Sequence, residues 1–142
     1  MLLLVCDQEA MDPFLADLPP TGQSLMNRYW PGSLVLALPA GNDAPESITA
    51  NRGQIKVMQP ECPLLQSLLS MMPEGVLAVG CAGRLDVPSA CTAQDVYNTF
   101  GEDVDYVLPG DALVREAMAP TVVSVDSAGE IHLLRSGGIV LD

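Results

Sequence analysis

Two kinds of segment take turns along this chain. Short stretches rich in apolar residues read as strands: Leu2 to Cys6, Ser33 to Leu38, Gln54 to Met58, Gly75 to Gly80, Tyr106 to Leu108, Thr121 to Val125 and Glu130 to Leu134. Between them, apolar residues recur at helical spacing. Met11, Phe14 and Leu15 do so within residues 8–17, and Pro19-Pro20-Thr21-Gly22 is predicted to break that helix before a second one runs from about Gln23 to Tyr29. Leu64, Leu65, Leu68 and Leu69 form one stripe of a helix over Pro63 to Met71, and a short helix is predicted over Leu113 to Met118. Thr92 starts a further helix, with Asp95 three residues on, a capping-box arrangement with Asp in place of the usual Glu or Gln. Residues 39–53 read as a polar loop, and Asp126-Ser127-Ala128-Gly129 as a hairpin turn. Strands that alternate with helices and end in a hairpin predict an α/β (α+β) fold: a single domain over residues 1–142 with a twisted mixed β-sheet and flanking helices.

Composition narrows the chemistry. Hydrophobic residues are 49% of the 142 and aromatics only 4%, so the core is expected to be aliphatic. The opening Met1 to Cys6 has no basic residue before it and runs into Asp7 and Glu9, so it is expected to be a first strand and not a leader. No apolar run approaches the roughly 20 residues that cross a bilayer, so a cytoplasmic protein without a membrane partner is expected. There are 18 acidic and 6 basic residues, a formal charge of −12. The bases Arg28, Arg52, Lys56, Arg84, Arg115 and Arg135 are scattered. They suit a small anion better than a long RNA, whose backbone demands many neutralised phosphates. Cys6, Cys62, Cys81 and Cys91 show no C-x-x-C pair and no companion histidine spacing, so reduced thiols and no metal site are expected. His132, the one histidine, lies in a strand-like stretch and offers a poor basis for a Ser-His-Asp or Cys-His mechanism.

Several landmarks then follow in a particular order. Trp30-Pro31-Gly32 ends a helix and leads into the apolar strand after Ser33. A strand ending at Gln59-Pro60 precedes Cys62-Pro63 and the leucine helix. A small-residue loop, the Pro88-Ser89 turn and Thr92-Ala93-Gln94-Asp95-Val96 come next. Phe100-Gly101, Val107-Leu108-Pro109-Gly110, Thr121-Val122-Val123 and Leu134-Arg135-Ser136-Gly137-Gly138 close the series. In this order the chain resembles the YrdC-like family, the threonylcarbamoyl-adenylate synthases of tRNA modification. The resemblance implies a YrdC-like domain whose chemistry joins bicarbonate, L-threonine and ATP, with magnesium, into threonylcarbamoyl-adenylate and pyrophosphate. Such a reaction rests on cations and hydrogen-bond donors that hold a triphosphate and carboxylates. It places a nucleotide and threonine pocket on Gly80, Cys81, Ala82, Gly83, Arg84, Thr121 and Arg135. Trp30 is expected to pack the helix end against the sheet.

The resemblance also marks departures. The family's Thr-Ser-Ala-Asn loop falls on Gly80-Cys81-Ala82-Gly83, where only Ala82 is kept, and Cys81 is a poorer hydrogen-bond partner than serine. The arginine of the Val-Arg-x-Pro strand falls on Met58, and the serine of the Ser-Thr-Val-Val segment on Pro120, while Thr121 and Arg135 match. The resemblance places the family's Lys-x-Arg nucleotide segment ahead of the strand at Leu2, so the domain is expected to lack that segment. Arg84 either replaces a lost cation or pairs with a neighbour such as Asp86, and Cys81, with no base beside it in sequence, reads as a spectator thiol. The expected function is a YrdC-like relative of the synthase with impaired or lost catalysis. The alternative is a non-enzymatic module that forms a homodimer through an exposed sheet edge. A third reading, an RNA-binding, translation-factor-like protein, is disfavoured by charge. If the enzyme reading holds, Arg28, Arg84, Arg115 or Arg135 should converge on one cavity.

Overall fold

The computed structural model describes residues 1–50, 53–83, 92–109 and 119–142. One mixed sheet contains β1 (Leu2–Val5), β2 (Leu34–Pro39), β3 (Thr49–Ala50), β4 (Gln54–Met58), β5 (Val76–Val79), β6 (Thr121–Val125) and β7 (Ile131–Arg135). The order across it is β5-β1-β4-β2-β6-β7, with β3 also paired to β4. The β1/β4 and β2/β6 pairs are parallel and the rest antiparallel. The helices are α1 (Pro20–Tyr29), α2 (Pro63–Met71) and α3 (Ala93–Phe100), with a 3-10 helix over Glu9–Phe14. The chain divides into two compact units: Met1–Val79 with Ala119–Asp142, which holds the sheet, and Gly80–Met118.

Register decides which side chains share a face, because alternate residues of a strand point to opposite sides. Leu3 pairs with Val57, Val57 with Leu36, and Leu36 with Val123, so all four lie in one row. Val5, Leu34, Leu38, Ile55 and Val125 join them on that face, and with Met11 and Met26 they are almost completely buried. Burial of a side chain of this size contributes roughly 1.5–3 kcal/mol. Trp30 packs into the same cluster as the residue capping α1, and its indole N–H donates to the buried carbonyl of Leu34 at 2.7 Å. The last residues strap this face. Ile139 and Leu141 pack on the cluster, and the Thr121 hydroxyl both donates to the Ile139 carbonyl (2.7 Å) and accepts from its N–H (3.0 Å). Gly137 permits the strap, since a Cβ there would collide with the backbone of Ala119, Pro120 and Thr121.

Most of the predicted elements are present, and the exceptions have causes. The expected helix over residues 8–17 is a 3-10 helix, with Pro13 inside it. Pro20 does not break a helix but opens α1 at its first turn, where the missing N–H costs nothing. The polar loop of residues 39–53 contains β3, formed against β4. Tyr106 to Leu108 is not a strand; Tyr106 and Leu108 are exposed, and apolar character alone gives no partner strand. The turn after β6 is a tight one: Gly129 N–H donates to the Asp126 carbonyl (2.9 Å), Asp126 N–H donates to that of Glu130 (3.1 Å), and Gly129 has φ +83°. Thr92 and Asp95 make the reciprocal capping box of α3. The predicted helix over Leu113 to Met118, the Pro88-Ser89 turn and Cys91 lie outside the described residues. No helix among the described residues is long and apolar enough to cross a membrane.

Candidate functional site

The other face of the sheet has a mixed character. β4 alternates, with Ile55 and Val57 buried and Gln54, Lys56 and Met58 half-buried, so these last three share the second face. Lys56 pairs with Ala37, Ala37 with Ser124, and Ser124 with His132, which sets a lysine, a serine and the histidine in one row across four strands. Gln54 Nε2 reaches over β2 to donate to Ser124 Oγ at 2.8 Å. That span crosses two inter-strand spacings, about 9.6 Å, and Ala37 offers only a methyl group in its path. In the neighbouring row Leu77 pairs with Leu4 and Leu4 with Met58, while Val35 pairs with Val122 and Val122 with Arg135. The β6/β7 register shifts between Val122 and Val123, and this irregularity places Arg135 opposite Val122 and on its face.

The residues expected to form a pocket are divided between the two units, each described by itself. Gly80, Cys81, Ala82 and Gly83 follow β5 and belong to the second unit; all are exposed, and Gly83 N–H donates to the Cys81 carbonyl at 3.0 Å. Arg84 and Arg115 lie outside the described residues. Thr121 points to the strapped face, 1% exposed, with its hydroxyl engaged by Ile139. Arg135 is exposed on the mixed face, and its Nε donates to the Pro120 carbonyl at 3.1 Å. The expected convergence of Arg28 with Arg135 does not occur: Arg28 sits on α1, over the strapped face, and its Nη2 holds Asp142 at 2.6 Å. Lys56 was not among the expected site residues, yet it shares a face with Gln54, Ser124 and Arg135. The alternation within Gln54–Met58 is the signal that points to it.

Local electrostatics follow the same division. Asp142 is held below the usual carboxylate range, chiefly by the hydrogen bond from Arg28, with the Tyr29 hydroxyl adding to it. Asp126 is also lowered, first by the backbone N–H of Glu130 and then by His132 and the Ala128 N–H. Burial pushes the Cys6 thiol up, and its hydrogen bond to Asp7 pushes the same way, which disqualifies Cys6 as an activated nucleophile. A hollow of about 390 Å³ beside the 3-10 helix is lined by Glu9, Ala10, Pro13, Phe14 and Glu74. Another, of about 620 Å³, follows α3 and is lined by Tyr97, Asn98, Thr99, Gly101, Glu102 and Asp103. Carboxylates in both repel phosphates and carboxylates, while on the mixed face the cations Lys56, half-buried, and Arg135, exposed, flank a buried centre of Leu4, Val35, Ala37, Val122 and Ser124.

Comparison with known proteins agrees with this architecture. Residues 1–137 match the Sua5/YciO/YrdC family, described as "Telomere recombination". The threonylcarbamoyl-AMP synthase of Pyrococcus abyssi is 25% identical over 142 residues, which are 100% of this chain and 41% of that protein. The structure of P. abyssi Sua5 complexed with L-threonine superposes with a TM-score of 0.83 at 24% identity, over 96% of this chain and 39% of that one. E. coli YciO superposes with a TM-score of 0.80 at 18% identity, over 96% of this chain and 65% of that one. The chain thus spans less than half the length of the P. abyssi synthase, and these superpositions establish its fold. By the match along nearly its whole length, the chain belongs to the Sua5/YciO/YrdC family.

Proposed function

We propose that this chain is a threonylcarbamoyl-AMP synthase-type domain that uses the mixed sheet face to bind a small anionic ligand of that reaction, L-threonine or a nucleotide, with impaired catalysis. The observation that carries the reading is the row through Met58. An apolar side chain stands where the family resemblance calls for arginine, flanked by Leu4 and in line with Val35 and Val122, and Arg135 is left as the cation of that row. The P. abyssi Sua5 structure, complexed with L-threonine, supports the choice of ligand. ATP and magnesium follow from the family alone, as does the association with tRNA modification. One preorganised electrostatic contact is worth on the order of 10²–10³ in rate, so its loss suffices for the impairment.

The test is pyrophosphate release from ATP with magnesium, threonine and bicarbonate, alongside isothermal titration with threonine and with ATP. The expected result is saturable binding with turnover about a hundredfold or more below that of the P. abyssi protein, partly recovered by Met58→Arg. Turnover equal to the P. abyssi protein would overturn the impairment, and absence of heat with either ligand at millimolar concentration would overturn the binding reading.

A second reading, the interaction module, is favoured by a separate observation. All five residues of the outer strand β7 are exposed, among them Ile131, Leu133 and Leu134. Because Asp126 N–H bonds the Glu130 carbonyl, ladder alternation turns the backbone groups of Ile131 and Leu133 toward the open edge. Sedimentation equilibrium tests it: a dimer abolished by Leu133→Lys supports pairing through β7, and a monomer at 100 μM or so, far above a typical stable dimer's Kd, rejects it. The −12 charge weighs against RNA as partner of either form.

A further inference from the structure

The hairpin between β6 and β7 brings together three residues from one seven-residue segment that carries no recognised ligand motif. Asp126, Glu130 and His132 each offer one ligating atom, and these atoms lie within 4.8 Å of one another. The register explains the meeting. Ser124 pairs with His132, so Asp126 and Glu130, each two residues nearer the turn on its own strand, stand on the same face as that pair. The His132 Nε2 is 3.5 Å from Asp126 Oδ2 and 4.0 Å from Glu130 Oε2. Asp126 is set in place by its other oxygen, which accepts the N–H groups of Ala128 and Glu130, both at 2.9 Å. Its Oδ2 is thereby aimed at the imidazole.

We infer that Asp126, Glu130 and His132 form a site for a divalent transition-metal ion of the zinc type, with an open position for an exchangeable oxygen ligand. Ligand atoms 2.0–2.2 Å from a tetrahedral ion stand about 3.4 Å apart. The Asp126–His132 pair already has that separation, and the Glu130 side chain, 74% exposed, has room to close the remaining gap by rotation. One imidazole with two carboxylates suits zinc, nickel or cobalt better than calcium or magnesium, which favour oxygen throughout. Three protein ligands leave a coordination position for water or a ligand oxygen, unlike a closed structural site. The absence of cysteine or histidine spacing does not bear on it, because the ligands are assembled across a turn and use none of the four thiols.

The experiment titrates the full chain with Co²⁺ and with Zn²⁺ and reads the ring resonances of His132, which are unambiguous because it is the one histidine. Stoichiometric Co²⁺ is expected to broaden them and Zn²⁺ to shift them, without the charge-transfer bands of thiolate–cobalt bonds. His132→Ala is expected to weaken binding on the order of a hundredfold or more and Glu130→Gln about tenfold or more, since removal even of an outer-shell partner costs roughly 10–100-fold. Both positions are exposed, so the variants retain the fold, which their amide spectra verify. Excess Mg²⁺ or Ca²⁺ should not displace the metal. Unmoved His132 resonances, thiolate bands, or equal affinity in His132→Ala would each overturn the assignment.

Discussion

The two faces of the sheet are built by the same strands and obey different rules. On the strapped face, neighbouring positions of β1, β2, β4 and β6 are aliphatic apart from Thr121, and they are covered by Met11, Met26, Trp30 and the strap of Ile139 and Leu141. On the mixed face, the intervening positions of the same strands include Lys56, Ser124 and Gln54 beside Leu4, Val35 and Val122. A polar group buried without a partner costs about 1–3 kcal/mol, so each one kept on either face must be satisfied, as the Thr121 hydroxyl is by the backbone of Ile139. Gln54 and Ser124 satisfy each other. Both faces are buried along their central rows, and the lesson lies in composition: the strapped face is almost purely aliphatic, whereas the mixed face sets satisfied polar groups beside Leu4, Val35 and Val122.

The largest effect that would break this contrast is at the centre of the strapped face. Leu36→Ala, at a fully buried position, is expected to cost about 3 kcal/mol in chemical denaturation, from lost burial and the cavity left behind. A cost below 1 kcal/mol would show that this face contributes little to holding the fold. Trp30→Phe comes next, at about 2 kcal/mol, because it removes the indole donor from the buried Leu34 carbonyl and leaves a gap. On the mixed face, Ser124→Ala is expected to cost only about 1 kcal/mol, since the half-buried Gln54 amide can turn toward water. Should Ser124→Ala cost as much as Leu36→Ala, the two faces would be equivalent in stability.

The smallest effect concerns the end of the strap. Asp142 is lowered in the folded state by Arg28 and Tyr29, so its contribution is present above the unfolded carboxylate pKa of about 3.9 and is lost as pH falls through the still lower folded value. Denaturation midpoints of the native chain and of Asp142→Asn should therefore differ slightly at neutral pH and converge once the pH has fallen through the folded value. A gap that persists under acid would show that the carboxylate charge is irrelevant. Salt should also shrink the difference, as Arg28 and Asp142 are exposed.

Much of this architecture was legible in the chain itself. The bounds of β4, α2 and β6 match the sequence reading residue for residue, because each carries a clear local pattern, alternation in β4, a leucine stripe in α2 and a near-apolar run in β6, with Gly53, Pro63 and Pro120 marking where they start. The Thr92 box and the Gly129 turn were equally readable, since each is a local hydrogen-bond arrangement that needs no distant partner. Tyr106 to Leu108 failed for the converse reason: a strand exists only when another offers it a ladder. The residues of the candidate site were less legible. Motif order could name Arg135 and Thr121, but the direction of each side chain depends on register, and register assigned Thr121 to the strap and Arg135 to the mixed face.

By itself, then, the sequence determined the alternation of strands and helices, the aliphatic core, the acidic charge and the family to which the chain belongs. Only the tertiary structure decided that Lys56, Ser124 and His132 share a row, that Arg28 and Arg135 lie on opposite sides of the sheet, and that Asp126, Glu130 and His132 meet at one turn. The reason is physical. Periodicity and capping are interactions between residues a few positions apart, whereas strand order and register are chosen by the whole sheet as it buries its faces.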